Sequence, residues 1–189
     1  HKEKFTDYLN RISMATDKIS MLTEKLLHFS RDYIPQLERL ELYNYIRKNL
    51  INYSSTIGVD INVPLNKNDK FWVMADVKQI DEVVRNLLSN AKDAINDCTK
   101  TTPIHINLSL LAIDTNKYVC LSIIDSGIGM SQEVKEKIFY PLYTTKYHNG
   151  AGFGLTNVLN IINQNNGYVI VNSDEGLGTK FKIHWPYAH

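Results

Sequence analysis

Cys120-Leu121-Ser122-Ile123-Ile124-Asp125-Ser126-Gly127-Ile128-Gly129-Met130 sets an apolar strand directly before an aspartate and two spaced glycines. Glycine lets the backbone turn sharply and pass close to a ligand. An ionised carboxylate at the strand end only accepts hydrogen bonds, so it suits the exocyclic amine of adenine and not the carbonyl of guanine. Ordinary turns share the same pattern, so its weight depends on what flanks it.

Upstream, an amphipathic helix runs from Val77 to about Asn96, with Asp76 followed by Gln79 as its N-terminal cap. Ile80, Val84, Leu87, Ala91 and Ile95 form its apolar face, and Glu82, Asn86, Asn90 and Asp93 form a second stripe at helical spacing. Asparagine is a poor helix-interior residue because its amide competes for backbone hydrogen bonds. A solvated face explains this stripe, and so do amide and carboxylate oxygens holding a hard cation such as Mg2+ beside phosphate. Downstream, Gly150-Ala151-Gly152-Phe153-Gly154-Leu155 opens into a helix over 155–165. Its alternate glycines let backbone N–H groups approach a phosphate that the helix N-terminus also favours. No Gly-Lys-Ser/Thr follows, so it is not a P-loop, and the glycine spacing does not fit a dinucleotide fingerprint. Alone it reads as a lid or turn, just as Gly176-Leu177-Gly178-Thr179 alone reads as a hairpin.

Between these segments helices and short strands alternate, which predicts a two-layer α/β (α+β) domain over residues 35–189. A helix is expected over 41–53 and strands over 59–63 and 71–75. Strands are also expected over 104–111, 118–124, 168–172 and 179–185, with a short helix over 132–138. The first thirty residues differ. Phe5, Tyr8, Ile12, Ala15, Ile19, Leu22, Leu26 and Phe29 recur at spacings of three and four, a heptad seam that needs a partner. Pro35 disfavours helical geometry at Ile34, so residues 1–34 read as a helical stem.

In order, NLLSNAKDA, DSGIGM, IFYPLYTTK, GAGFGL and GLGT resemble the N, G1, F, G2 and G3 boxes of sensor histidine kinase catalytic domains in the GHKL superfamily. MLTEKLLHFSR resembles the end of the second helix of the kinase dimerisation hairpin, so the resemblance covers nearly the whole chain. It implies an α/β sandwich, with a mixed sheet on one side and helices on the other, that binds ATP and Mg2+ beneath a mobile lid. It further implies Asn90 as the Mg2+-chelating asparagine, Asn86 as the polar residue one turn before it, and Asp125 as the adenine-reading aspartate. Gly127 and Gly129 would turn beneath the base, and Thr179 would stand behind the carboxylate. Gly150, Gly152 and Gly154, with Leu155, match the phosphate loop. Phe139 and Tyr143 would close the lid, with Thr145 beside them at the nucleotide and Lys146 as the cation for a terminal phosphate.

Departures from the pattern are Ala151 where a hydroxyl residue is common, Asp93 where some relatives carry a phosphate-touching base, and a short segment between Tyr143 and Gly150. The family's phosphoacceptor histidine lies on the first hairpin helix. Only His1 precedes the matching second helix, and KEKF does not fit an acceptor box, so that helix is expected to be absent from this chain. The uncovered seam is then expected to self-associate.

The implied activity is transfer of the γ-phosphoryl of ATP to histidine, with a response regulator receiver domain as the downstream partner. Two other classes compete: a GHKL ATPase acting as a conformational switch, and a nucleotide-binding signalling module without turnover. ATPases of this superfamily place a glutamate one turn before the metal-binding asparagine, and here Asn86 stands there. Composition fits a soluble globular chain: 189 residues, 43% hydrophobic, 22% charged, net charge +1. Nothing in that balance points to nucleic acid, and no apolar run reaches the roughly 20 residues needed to cross a bilayer. Two distant cysteines, Cys98 and Cys120, read as small buried side chains in a reducing, cytoplasmic setting.

Overall fold

A computed structural model describes residues 33–64, 69–98, 102–146 and 152–189, together with Thr6, Tyr8, Leu9, Ile12, Ser13 and Thr16. Of the predicted stem seam, Tyr8 and Ile12 are helical and exposed; Phe5, Ala15, Ile19, Leu22, Leu26 and Phe29 lie outside the described residues. The chain then forms β1 (Glu38–Glu41), α1 (Leu42–Ile57), β2 (Ile61–Asn62), β3 (Trp72–Ala75), α2 (Val77–Asn96), β4 (Ile104–Ile113) and β5 (Asn116–Asp125). After these come α3 (Gln132–Lys137), α4 (Gly154–Gln164), β6 (Tyr168–Asp174) and β7 (Gly178–Pro186).

A five-stranded mixed sheet has the order β2-β4-β5-β7-β6, with β2 parallel to β4 and the other pairs antiparallel. Period-two alternation sends Ile104 and Ile106, Val119, Leu121 and Ile123, and Phe181, Ile183 and Trp185 to one face. On that face they meet Ile80, Val84, Leu87 and Leu88 of α2 and Val158, Ile161 and Ile162 of α4 in one core. The helices therefore lie on one side of the sheet, as expected. A separate ribbon pairs β1 with β3, in register from Glu38↔Ala75 to Glu41↔Trp72.

Several boundaries depart from the sequence reading, each for a local reason. The helix expected from position 41 begins at Leu42, because the Glu41 carboxylate caps it, accepting from the Asn44 N–H at 2.8 Å and from the Phe71 N–H at 2.8 Å. It continues to Ile57, where Gly58 at φ 73° ends it. The strand expected over 59–63 shortens to two residues, and β1 lies in a charged stretch that gave no strand pattern. The cap of α2 is half of the expected capping box: Asp76 accepts from the Lys78 and Gln79 N–H groups, while the Gln79 side chain turns to Gln164 and Asn165. Between α1 and α2, fully buried Tyr53 donates to Asp81 at 2.9 Å, and Arg85 pairs with the same carboxylate at 2.6 Å. Burial first and the Asp81 bond second raise the Tyr53 phenol well above its ordinary pKa.

Candidate nucleotide-binding site

Asp125 is the last residue of β5, paired with Thr179 of β7, and only 6% exposed. Its Oδ1 accepts from the Gly127 N–H at 2.9 Å and from the Thr179 N–H at 3.2 Å. Both bonds fall on one oxygen, so Oδ2 has no partner among the described residues. Burial raises the pKa of this carboxyl, partly countered by the two N–H groups, which favour the charged form.

Three glycines hold this carboxylate in place. A Cβ on Gly127 would lie 2.6 Å from the Ala94 Cβ of α2, and the Ile128 N–H donates to the Ala94 carbonyl at 3.1 Å. Gly129, at φ 67°, passes so close to β6 that a Cβ there would sit 1.9 Å from the Asp174 carbonyl oxygen. Gly178, at φ 89°, presses on Asp125 itself, where a Cβ would come within 2.1 Å of its carbonyl oxygen. The segment Gly176–Gly178 is a hairpin turn, as its sequence alone reads, and it is also the lock on the strand end. Thr179 contributes to Asp125 through its backbone N–H; its hydroxyl instead lies 2.9 Å from Ser173 Oγ, whose own proton goes to the Gly178 carbonyl.

On α2, Asn86 and Asn90 are both partly exposed, one turn apart. The Asn86 amide donates back to the Glu82 carbonyl at 3.0 Å, and a Cβ on Gly154 would lie 3.1 Å from Asn86 Oδ1, so the N-terminus of α4 abuts this side chain. Asn90 Oδ1 accepts from Lys146 Nζ at 3.0 Å, and the same ammonium forms a salt bridge with Asp93. The acidic end of the stripe also reaches α4: Asn157 donates to Glu82 at 2.6 Å. Sequence spacing put Glu82, Asn86, Asn90 and Asp93 on one stripe; it carried no signal for Lys146 or Asn157, which lie more than fifty residues away.

The lid segment divides. Leu142, itself at φ 67°, donates its N–H to the Gly152 carbonyl at 3.0 Å, and a Cβ on Gly152 at φ 69° would strike the Leu142 backbone. Phe139 and Tyr143 are partly buried against the core, and the Phe139 carbonyl accepts from Thr156 at 3.1 Å. These contacts make Phe139 an anchor, where the sequence reading expected a closing lid residue. Thr145 is exposed and Leu155 half-buried at the start of α4. Gly150 and Ala151 lie outside the described residues. Cys120 is buried and Cys98 half-buried; both are free thiols. No helix among the described residues is long and apolar enough to cross a membrane.

Asp76, beyond its cap role, also accepts from the Tyr33 hydroxyl and the Gln36 N–H, both at 2.7 Å. The junction of stem and domain is thus tied, through Tyr33 and Gln36, to the first turn of the helix that carries Asn86 and Asn90. Burial alone would raise the Asp76 carboxyl, but Tyr33 and three backbone N–H groups outweigh it and hold the pKa below its ordinary value.

Residues 75–189 match the family described as histidine kinase-, DNA gyrase B- and HSP90-like ATPase. Sensor kinase CckA of Brucella abortus (strain 2308) is 33% identical over 194 residues, covering 96% of this chain and 20% of that protein. Sensor histidine kinase ZraS of Escherichia coli (strain K12) is 30% identical over 177 residues, covering 93% of this chain and 36% of that protein. The chain therefore spans well under half the length of these relatives. Full-length ShkA, solved in complex with AMPPNP, shares the fold at TM-score 0.67 and 22% identity, covering 96% of this chain and 38% of that one. The mycobacterial sensor histidine kinase MprB shares it at TM-score 0.61 and 20% identity, covering 79% of this chain and 97% of that one. The chain belongs to the histidine kinase-, DNA gyrase B- and HSP90-like ATPase family and contains the ATP-binding catalytic region of a sensor histidine kinase.

Proposed function

We propose that this region binds Mg2+-ATP and passes its γ-phosphoryl to a histidine on a dimerisation helix, from which a response regulator receiver domain takes it. The observation that carries the nucleotide reading is Asp125. A buried carboxylate with one oxygen fixed by two backbone N–H groups and the other without a partner among the described residues is set to accept from one more donor, and the adenine amine is such a donor. Gly127 and Gly129 keep the backbone low beneath the base. Gly152, Gly154 and Leu155, leading into α4, are read as the phosphate side together with Gly150, which lies outside the described residues, and with Asn86, Tyr143 and Thr145.

For the metal, the donor set fits: Asn90 presents an amide oxygen that already holds a positive group, the Lys146 ammonium. An amide oxygen on a half-exposed helix face is a suitable ligand for Mg2+, which keeps much of its water and shares phosphate oxygens. Bound there, Mg2+ would neutralise charge developing on the phosphates. Asn90 would fix the cation's place, Lys146 would meet the terminal phosphate, and Asp125 would orient the nucleotide by its base. Catalysis of this kind is positioning and charge stabilisation. A hydrolytic switch is disfavoured by Asn86, whose neutral amide cannot take a proton from water and whose N–H2 is turned to the Glu82 carbonyl.

The test is to incubate the chain with γ-labelled ATP, Mg2+ and a fragment carrying the acceptor helix of a related kinase. Acid-labile label on the fragment's histidine is expected. Nucleotide binding with steady phosphate release and no labelled fragment would favour the ATPase reading, and binding with neither would favour a module without turnover.

A further inference from the structure

Lys146 is held by two groups on one helix face: Asn90 Oδ1 at 3.0 Å and the Asp93 carboxylate, one turn further along α2. The pair is half-exposed, with 37% of the Lys146 side chain and 40% of the Asp93 side chain accessible. Lys146 comes from the lid side of the site, where its own N–H is held by Thr144 Oγ1 at 3.1 Å. Asp93 and the proposed metal ligand Asn90 therefore share one cation, brought to them from more than fifty residues away.

We infer that Asp93 is a positioning residue that stores Lys146 on Asn90, so that Mg2+ entry and release of Lys146 are one exchange. The inference rests on the reading of Asn90 as the metal ligand. One amide oxygen directed at an ammonium cannot at the same time enter the shell of a small dication, because the two positive groups would repel at contact distance. Binding of the metal breaks the bond from Nζ to Asn90. The ammonium, now opposed by the metal, moves to the strongest anion in reach, the terminal phosphate of ATP. ADP has no such phosphate, so with ADP the lysine has less to gain by leaving. Preference for the triphosphate then comes from Lys146, and Asp93 sets the cost of releasing that lysine for either nucleotide. It also gives a role to the acidic residue that occupies a position where a phosphate-binding base would be the simpler choice.

The exchange is tested by measuring ADP and ATP affinity of the 189-residue chain in Mg2+ and in EDTA, for the wild type and for Asp93→Asn, Lys146→Met and Asn90→Ala. The informative quantity is the ratio of the ADP dissociation constant in EDTA to that in Mg2+, which cancels general charge effects on the phosphates. Asp93→Asn is expected to raise this ratio roughly two- to fivefold, the scale of a half-exposed ion pair. Simple removal of an anion beside a dication would lower it, so the sign alone separates the two accounts. Lys146→Met is also expected to raise the ratio for ADP while weakening Mg2+-ATP, whereas Asp93→Asn tightens both. In nucleotide-free protein, amine-reactive labelling of Lys146, read by mass spectrometry, should be faster after Asp93→Asn. A ratio lowered or unmoved by Asp93→Asn, in a protein whose Mg2+ dependence is still abolished by Asn90→Ala, would overturn the exchange and leave Asn90 as the ligand. A wild-type ratio of one, or one that Asn90→Ala does not change, would overturn the metal reading itself, and the exchange with it.

Discussion

Asp125→Asn separates recognition of the base from the integrity of the fold. Asparagine keeps an oxygen in the place of Oδ1, so the bonds from the Gly127 and Thr179 N–H groups are retained. What changes is the other arm, where an acceptor becomes an N–H2 donor facing the donor on adenine. The lost bond, made to a charged acceptor, is worth about 1.5–3 kcal/mol, so ATP affinity should fall roughly 10- to 150-fold. Stability should move the other way. Burial raises the folded-state pKa of Asp125, so its favourable contribution is complete below the unfolded value near ~3.9 and is lost as pH rises through the folded value. At neutral pH the charged, buried form is a net cost that the amide avoids, and the variant should unfold no lower than the wild type, with the difference growing as pH climbs through that range. Affinity follows the opposite course: protonating Asp125 removes its acceptor, so adenosine binding to the wild type should weaken on acidification earlier than for an ordinary aspartate. Adenosine is the better probe because it has no phosphate to titrate. Calorimetric titration and thermal melts of both proteins across pH 4–8 would measure both trends. Unchanged ATP affinity in a folded Asp125→Asn protein would refute the assignment, and a large drop in melting temperature would refute the account of Oδ1.

Asn90→Ala should lose most of the Mg2+-dependent gain in ATP affinity and leave adenosine binding nearly intact; equal losses for both ligands in a titration would point to a damaged helix. Gly129→Ala should cost at least about 3 kcal/mol in denaturant melts, since strain at positive φ adds to a clash with the Asp174 carbonyl, whereas Gly176→Ala, with open space around its Cβ, should cost only about 1–2 kcal/mol. Asp76→Ala should cost about 2 kcal/mol or more, the upper end of a cap deletion, because the Tyr33 and Gln36 bonds go with it. The depressed pKa of Asp76 means that its contribution is present above the unfolded value near ~3.9 and is lost as pH falls through the lower folded value, so Asp76→Asn should flatten the acid end of the stability profile. The exposed seam residues Tyr8 and Ile12 should support concentration-dependent self-association, read by sedimentation velocity and weakened by Ile12→Asp.

The parts legible in the sequence were those fixed by local rules. Helix α2 ran from Val77 to Asn96 as its periodicity indicated, because cap, apolar face and length agreed. The strands expected over 118–124 and 179–185 fall inside β5 and β7, Asn116–Asp125 and Gly178–Pro186. Strand β1 was not legible: Glu38-Arg39-Leu40-Glu41 is short, charged and paired only to β3, so tertiary pairing decides it and pattern does not. Thr179 stands beside Asp125, but which of its groups makes the bond depends on Ser173, a partner across the hairpin. The grip of Lys146 on Asn90 and Asp93 and that of Asn157 on Glu82 cross more than fifty residues and need the fold to bring them together.

The way Asp125 is gripped has a consequence for how its specificity can evolve. Its orientation is set by the main chain of its own turn, by the N–H of a strand more than fifty residues on, and by three glycines that leave no room for a side chain. Exchanging Asp125 itself can set a donor where Oδ2 now stands, but a side chain added at any of those glycines would strike neighbouring main chain. The direction in which the group points therefore resists gradual change even where its chemistry does not. Sequence drift is therefore easier at the exposed lid positions and at Asp93, where side chains act through their charge and the main chain need not move.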